Sequence, residues 1–88
     1  LEQNYPNPFN PSTTISFGLS SSSYVRLSIY DTSGRLVSVV LDENREAGDY
    51  SVRWDGTTSL GSDAPSGIYF YRLAAGDFVR TSKMVLLR

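Results

Sequence analysis

The side chains of this 88-residue chain that could carry a reaction are hydroxyls and carboxylates, because it has no histidine and no cysteine. That removes imidazole acid–base catalysis, the common triads, thiol nucleophiles and nearly all zinc sites. Serine is plentiful, yet no serine lies beside an activating base in an elbow such as G-x-S-x-G. Ser66-Gly67 comes nearest and has no partner in sequence. The ordinary roles of serine, in turns and on strand surfaces, account for these residues. Asp55-Gly56, with Asp63 further along the same stretch, sets two carboxylates on flexible backbone where calcium could bind. Calcium takes about six to eight oxygens, and nothing here has the spacing of an EF-hand loop. Asx-turns, which such a loop needs, explain the same two residues. No catalytic, cofactor-binding or metal-ligating residue is assigned, and no small-molecule substrate is expected.

Two other groups of residues could bind a partner. Tyr24, Tyr30, Tyr50, Trp54, Tyr69, Phe70 and Tyr71 are many rings for a short chain, and exposed rings stack on sugars. Parity argues otherwise: Tyr50 and Trp54 alternate in step with Val52, and Tyr69 and Tyr71 with Leu73, so both sets face an interior. The closing Met84-Val85-Leu86-Leu87 is apolar on both parities and bracketed by Lys83 and Arg88. It reads either as a strand buried on both faces or as a basic-flanked segment that another protein reads by strand addition. Both readings stand at this point.

The elements that must position these residues are strands. Thr14–Leu19 alternates with Ile15, Phe17 and Leu19 on one face, and a serine run follows. Tyr24–Tyr30 places Val25, Leu27 and Ile29 inward and Arg26 and Ser28 outward. Asp31–Gly34 has the composition of a tight turn. The β-branched run from Arg35 to Leu41, apolar on both sides, is expected to be central, with the polar stretch 42–48 connecting two sheets. Asp49–Asp55 alternates again, residues 56–67 are irregular, and Ile68–Leu73 is an aromatic strand. Ala75-Gly76-Asp77 turns into Phe78–Thr81, and Ser82–Arg88 closes the chain. About seven strands with turn signals at these intervals predict an all-β fold, an immunoglobulin-like antiparallel sandwich. Its core is expected around Val25, Leu27, Ile29, Trp54, Tyr69 and Tyr71.

Before the first strand, Asn4-Tyr5-Pro6-Asn7-Pro8-Phe9-Asn10-Pro11 packs three of the four prolines into one short stretch. Each proline fixes φ and removes a backbone donor, so residues 1–12 are neither helix nor central strand. They read as a stiff extended lead-in to a sandwich of residues 13–88, pinned to it by Tyr5 and Phe9. Such a tether suits a module boundary, and the opening Leu1-Glu2-Gln3 suggests a fragment of a longer protein.

The totals agree with a small folded module. An apolar fraction of 40% and a charged fraction of 19% fit a globular domain. A net charge of −1 gives no reason to expect nucleic acid as a partner. Nothing approaches the roughly 20 apolar residues of a membrane-spanning helix. Absence of cysteine leaves the redox compartment open.

The whole chain resembles the type A C-terminal sorting domains of the type IX secretion system. The resemblance lies in Leu1–Ile15, in Ile29-Tyr30-Asp31 with Gly34, in Gly48 with Trp54-Asp55-Gly56, in Ser66-Gly67-Ile68-Tyr69, and in Lys83-Met84-Val85-Leu86-Leu87. The middle and end are also similar to the immunoglobulin-like domain of flagellar hook-capping proteins. The first resemblance implies a domain at the C-terminus of an exported cargo protein. Outer-membrane translocon and shuttle proteins would recognise it, and a sortase-like peptidase would remove it while attaching the cargo to the surface. It would be the substrate of that step, not an enzyme, and its cargo would be secreted or held at the cell surface. By family position, recognition falls on Gly67, Tyr69, Lys83, Met84 and Val85, and the boundary motif is Asn4, Pro6, Asn7, Pro8, Phe9, Asn10 and Pro11. The hook-capping resemblance implies an assembly or adhesion module instead.

Overall fold

Alternation of apolar and polar side chains produces two antiparallel sheets, because each strand can then bury one face and solvate the other. The computed structural model describes residues 1–88. It contains six strands: β1 (Thr13–Leu19), β2 (Ser23–Tyr30), β3 (Leu36–Arg45), β4 (Gly48–Trp54), β5 (Gly67–Ala75) and β6 (Phe78–Leu86). A two-stranded sheet, β1-β4, packs on a four-stranded sheet ordered β3-β2-β5-β6. The result is an immunoglobulin-like β-sandwich. Six strands replace the seven or so expected because no turn residue interrupts Thr81-Ser82. Phe78–Leu86 is therefore one strand, paired with β5 from Ala75↔Phe78 to Gly67↔Leu86. Gly76, at φ 60°, opens the two-residue hairpin loop between them.

Fully buried Ile15, Phe17, Val25, Leu27, Ile29, Trp54, Tyr71, Leu73, Met84 and Leu86 fill the space between the sheets. Trp54 lies at its centre, between Phe9 (ring centroids 5.8 Å apart) and Tyr69 (5.5 Å, edge-on). Its indole N–H donates to the Thr57 carbonyl at 2.9 Å, so the ring is buried without leaving its polar atom unpaired.

Three local expectations change. The run Arg35–Leu41 is not central: β3 is the edge of the larger sheet and pairs only with β2. Its free edge meets the 57–66 loop, whose Ser59 amide donates to the Val37 carbonyl. The polar stretch after it is no simple connection, since Asp42–Arg45 continues β3 opposite Ser23–Arg26. Only Glu46 and Ala47 join β3 to β4. A strand that is an exposed edge accepts such charges, and they discourage stray pairing. Ser28 points outward by parity yet is buried. A bulge separates it from Leu27, and it lies in register between Val39 and Arg72, longer side chains that cover it.

The lead-in does not stand away from this sandwich. Residues 2–5 run antiparallel along the free edge of β1: Glu2 N donates to Ser16 O, Tyr5 N to Thr14 O and Thr14 N to Tyr5 O. The chain then bends through Pro6–Pro8, and Phe9 bridges in parallel to Leu86 on the free edge of β6; the peptide bonds before Pro6, Pro8 and Pro11 are cis. One segment thus closes the seam between the two sheets. Phe9 is 2% exposed and pins the segment, whereas the Tyr5 side chain is 81% exposed and pins nothing. At Tyr5 the attachment is backbone alone.

Candidate recognition site

Two of the blocks singled out in the sequence, Ser66–Tyr69 and Lys83–Leu87, come together at one end of the β5–β6 pair. Strand pairing sets Gly67 opposite Leu86, Ile68 opposite Val85, Tyr69 opposite Met84 and Phe70 opposite Lys83. Alternation then splits the five candidate recognition residues between two faces. Tyr69 (4% exposed) and Met84 (0%) point into the core. The Tyr69 hydroxyl donates to the Pro65 carbonyl at 2.7 Å, and burial raises its pKa. Gly67 shares the parity of Tyr69, opposite buried Leu86, and offers only half-buried backbone, whereas exposed Lys83 and half-buried Val85 lie on the outer face. Beside them on the outer face lie Ile68, 42% exposed, and half-buried Phe70. The family pattern passed over these two. Their parity opposite Tyr69 and Tyr71 was the signal that could have found them.

The boundary motif is held against the same end by a buried polar cluster. Asn4, 2% exposed, donates its backbone N–H to the Tyr71 hydroxyl at 2.9 Å. That hydroxyl in turn donates to the Glu2 carbonyl at 2.9 Å. The Asn4 amide Nδ2 donates to Thr13 Oγ1 (2.9 Å) and to the Pro6 carbonyl (3.2 Å), and Thr13 Oγ1 donates to that carbonyl as well. Asn4 Oδ1 accepts in turn from Gln3 Nε2 at 2.5 Å, so both ends of the side-chain amide are paired, which is what lets an asparagine be buried. Further along, Val85 N donates to Asn7 Oδ1 (2.9 Å), Phe9 N to Val85 O (3.0 Å) and Leu87 N to Phe9 O (2.9 Å). Gln3 Nε2 reaches the Lys83 carbonyl at 3.1 Å. Pro6, Pro8, Asn10 and Pro11 are exposed. The opening and closing motifs, some 80 positions apart in sequence, are therefore bonded to each other.

The residues weighed for chemistry are engaged structurally. Asp55 Oδ1 accepts from Thr57 Oγ1 (2.6 Å) and Thr57 N (3.1 Å), an Asx-turn. The Thr57 hydroxyl bond lowers its pKa below the ordinary 3.8. Ser66 Oγ accepts from the Arg88 amide at 2.8 Å. The Arg88 guanidinium donates to the carbonyls of Ala64 and Gly56 and lies 3.8 Å from the Asp63 carboxylate. A guanidinium is therefore the charge at the centre of the 56–64 loop. Gly56 has φ 80°, and a Cβ there would come within 2.8 Å of the Pro11 carbonyl oxygen and 2.9 Å of Arg88 Nη2. Only glycine fits both demands. Sequence reasoning passed over Arg88 and Tyr71 as organisers, because a terminal arginine and a strand tyrosine carry no local pattern.

The family of the FlgD Ig-like domain matches residues 5–77. The chain belongs to that family. No curated protein sequence matches it. Among solved structures, this FlgD Ig-like domain is similar to part of dimeric latent PorU from Porphyromonas gingivalis (26% identity, TM-score 0.76), covering 97% of this chain and 9% of PorU. It is similar also to part of PorZ, an essential surface component of the type IX secretion system of the same organism (25% identity, TM-score 0.68; 98% and 11% covered). FlgD from P. aeruginosa matches 84% of the chain at 28% identity and TM-score 0.67, with 58% of FlgD covered. The chain spans only a small part of PorU and PorZ and just over half of the FlgD structure.

Proposed function

We propose that this FlgD Ig-like domain is a non-catalytic C-terminal sorting signal. It directs an upstream cargo protein across the outer membrane through the type IX secretion system, to release or surface attachment. The observation that carries this reading is the match over 97–98% of the chain to segments of PorU and PorZ, the second a named component of that system. The translocon and its shuttle proteins read the outer face of the β5–β6 pair, where Lys83 and Val85 meet Ile68 and Phe70. A sortase-like peptidase acts upstream of the lead-in, with this domain as its substrate. Tyr69 and Met84 support that face from beneath and make no contact with a partner.

The test fuses residues 1–88 to the C-terminus of a periplasmic reporter in a host with the type IX machinery. Export of the reporter to the medium or surface is expected, and periplasmic retention counts against the reading. Deleting Lys83–Arg88 should abolish export, but it also removes buried Met84 and Leu86 and so damages the fold. Lys83→Ala and Ile68→Ser touch only the outer face. Each should reduce export with the melting temperature unchanged, and full export in both variants removes the site assignment.

A second reading, an assembly module of the flagellar hook-capping kind, is favoured by the family match over residues 5–77 and by the FlgD structure. Chain appended after Arg88 separates the two. A sorting signal read at its terminal strand loses function, whereas an assembly module tolerates the extension.

A further inference from the structure

The outer edge of β6 is occupied by the protein itself. Its backbone groups alternate, so those of Met84 and Leu86 face β5 while those of Val85 and Leu87 face outward. The outward groups are taken by Asn7 and Phe9, in a parallel bridge that has the form of a short added strand. The Phe9 ring fills a slot against Trp54 beneath that edge. This is the arrangement by which domains bind extended peptides: main-chain bonds to a sheet edge, with one side chain in a pocket. Here the peptide comes from the same chain.

The loop that supplies it is closed at its base independently of the latch. The Tyr5–Thr14 pair and the Asn4–Tyr71–Thr13 cluster hold residues 4–5 and 13–14 together. Between them Pro6, Asn7, Pro8, Asn10 and Pro11 are all exposed, and Phe9 is the one buried side chain of the span. The Pro6 carbonyl belongs to that base cluster and Ser12 Oγ accepts from Arg53, so the five residues 7–11 between them can lift from β6 with the base intact. What they uncover is a free strand edge from Val85 to Leu87 and an aromatic-sized slot beside Trp54.

We infer that the Asn7–Pro11 loop is a cis-acting latch over a peptide-binding edge of β6. The occupant that replaces it is an extended segment of a partner protein. That segment carries a side-chain acceptor at the Asn7 position and an aromatic or large apolar residue at the Phe9 position. Use of this edge during sorting rests on the function proposed above; the latch itself does not, and its test needs no secretion machinery.

Two measurements on the complete 88-residue domain decide it. In native-state hydrogen exchange, the Phe9 and Val85 amides should exchange together, at least about tenfold faster than the Met84 and Leu86 amides on the other side of the strand. Equal protection of all four means that the loop opens only with global unfolding, and overturns the latch. In the second, Phe9→Ala empties the slot, and the probe is a fluorescent peptide of residues Gln3–Pro11. The peptide should bind this variant at least about tenfold more tightly than the wild type, whose own loop competes at high effective concentration. Equal binding to both overturns the proposal. If Phe9→Ala does not fold, the exchange pattern of the wild type decides alone.

Discussion

Trp54 and Tyr71 show how single side chains hold two sheets and a lead-in together. Trp54, on β4, touches rings from two other segments, Phe9 before β1 and Tyr69 on β5. Truncating such a residue costs ~3–5 kcal/mol. A domain of this size has roughly 4–13 kcal/mol in all. Trp54→Ala should therefore be unfolded or close to it, and a thermal melt within a couple of degrees of wild type would refute the packing described here. Tyr71 is the finer probe. Tyr71→Phe keeps the ring and removes one hydroxyl, leaving the buried Asn4 amide and the Glu2 carbonyl without partners. An orphaned buried donor costs about 1–3 kcal/mol. The midpoint of denaturation should fall accordingly, and the NMR signals of Glu2–Tyr5 should shift most. The burial of both rings was legible from parity with Val52 and Leu73. The reach of the Tyr71 hydroxyl to Asn4, 67 residues away, was not, because a long-range hydrogen bond leaves no periodic trace in sequence.

At the level of strands and turns, alternation located β1, β2 and β4, β-branched and aromatic runs located β3 and β5, β6 was read as two strands, and turn composition located the hairpin at Gly76. What misled was the inference from apolar content to position in the sheet. Val37, Val39 and Val40 made β3 look central, yet it is an edge whose free side meets a loop rather than a strand. Coverage by irregular chain has no pattern of its own. The β2–β3 turn offers a direct test of turn chemistry. Asp31 Oδ1 accepts from Ser33 Oγ (2.6 Å), Ser33 N (2.9 Å) and Arg35 N (3.0 Å). The Ser33 hydroxyl bond, followed by the two backbone bonds and the nearby Arg35 charge, lowers its pKa below 3.8. A carboxylate with a depressed folded-state pKa stabilises fully above its ordinary value, and that contribution is lost as pH falls through the folded value. Asp31→Ala should therefore melt below wild type at neutral pH, and the gap should narrow as pH is taken below 3.8. A gap independent of pH would show that the charge does not hold the turn.

The molecule as a whole is closed by its two ends. On one side the sheets are joined by the two-residue crossing from β3 to β4; on the other, only the lead-in bridges β1 to β6. In sequence, residues 1–12 read as a stiff lead-in pinned to the sandwich by Tyr5 and Phe9, because prolines cannot join a sheet interior. That physics is sound, but proline is allowed at edges, and the two free edges here are where this segment binds. The consequence can be measured by removing residues 1–12. The truncation takes away the buried Phe9, for which loss of a phenyl ring alone costs ~3–5 kcal/mol. It also strands the Tyr71 hydroxyl and uncovers the edges of β1 and β6, an open invitation to intermolecular pairing. Together these reach most of the roughly 4–13 kcal/mol available. Residues 13–88 alone should be unfolded or self-associating at room temperature, by circular dichroism and by sedimentation. A monomeric, cooperatively melting fragment would restore the tether. A proline-rich segment joined to the domain from either end of the seam would then be dispensable, and the contacts of Asn7 and Phe9 with β6 would be ornaments of the fold rather than its clasp.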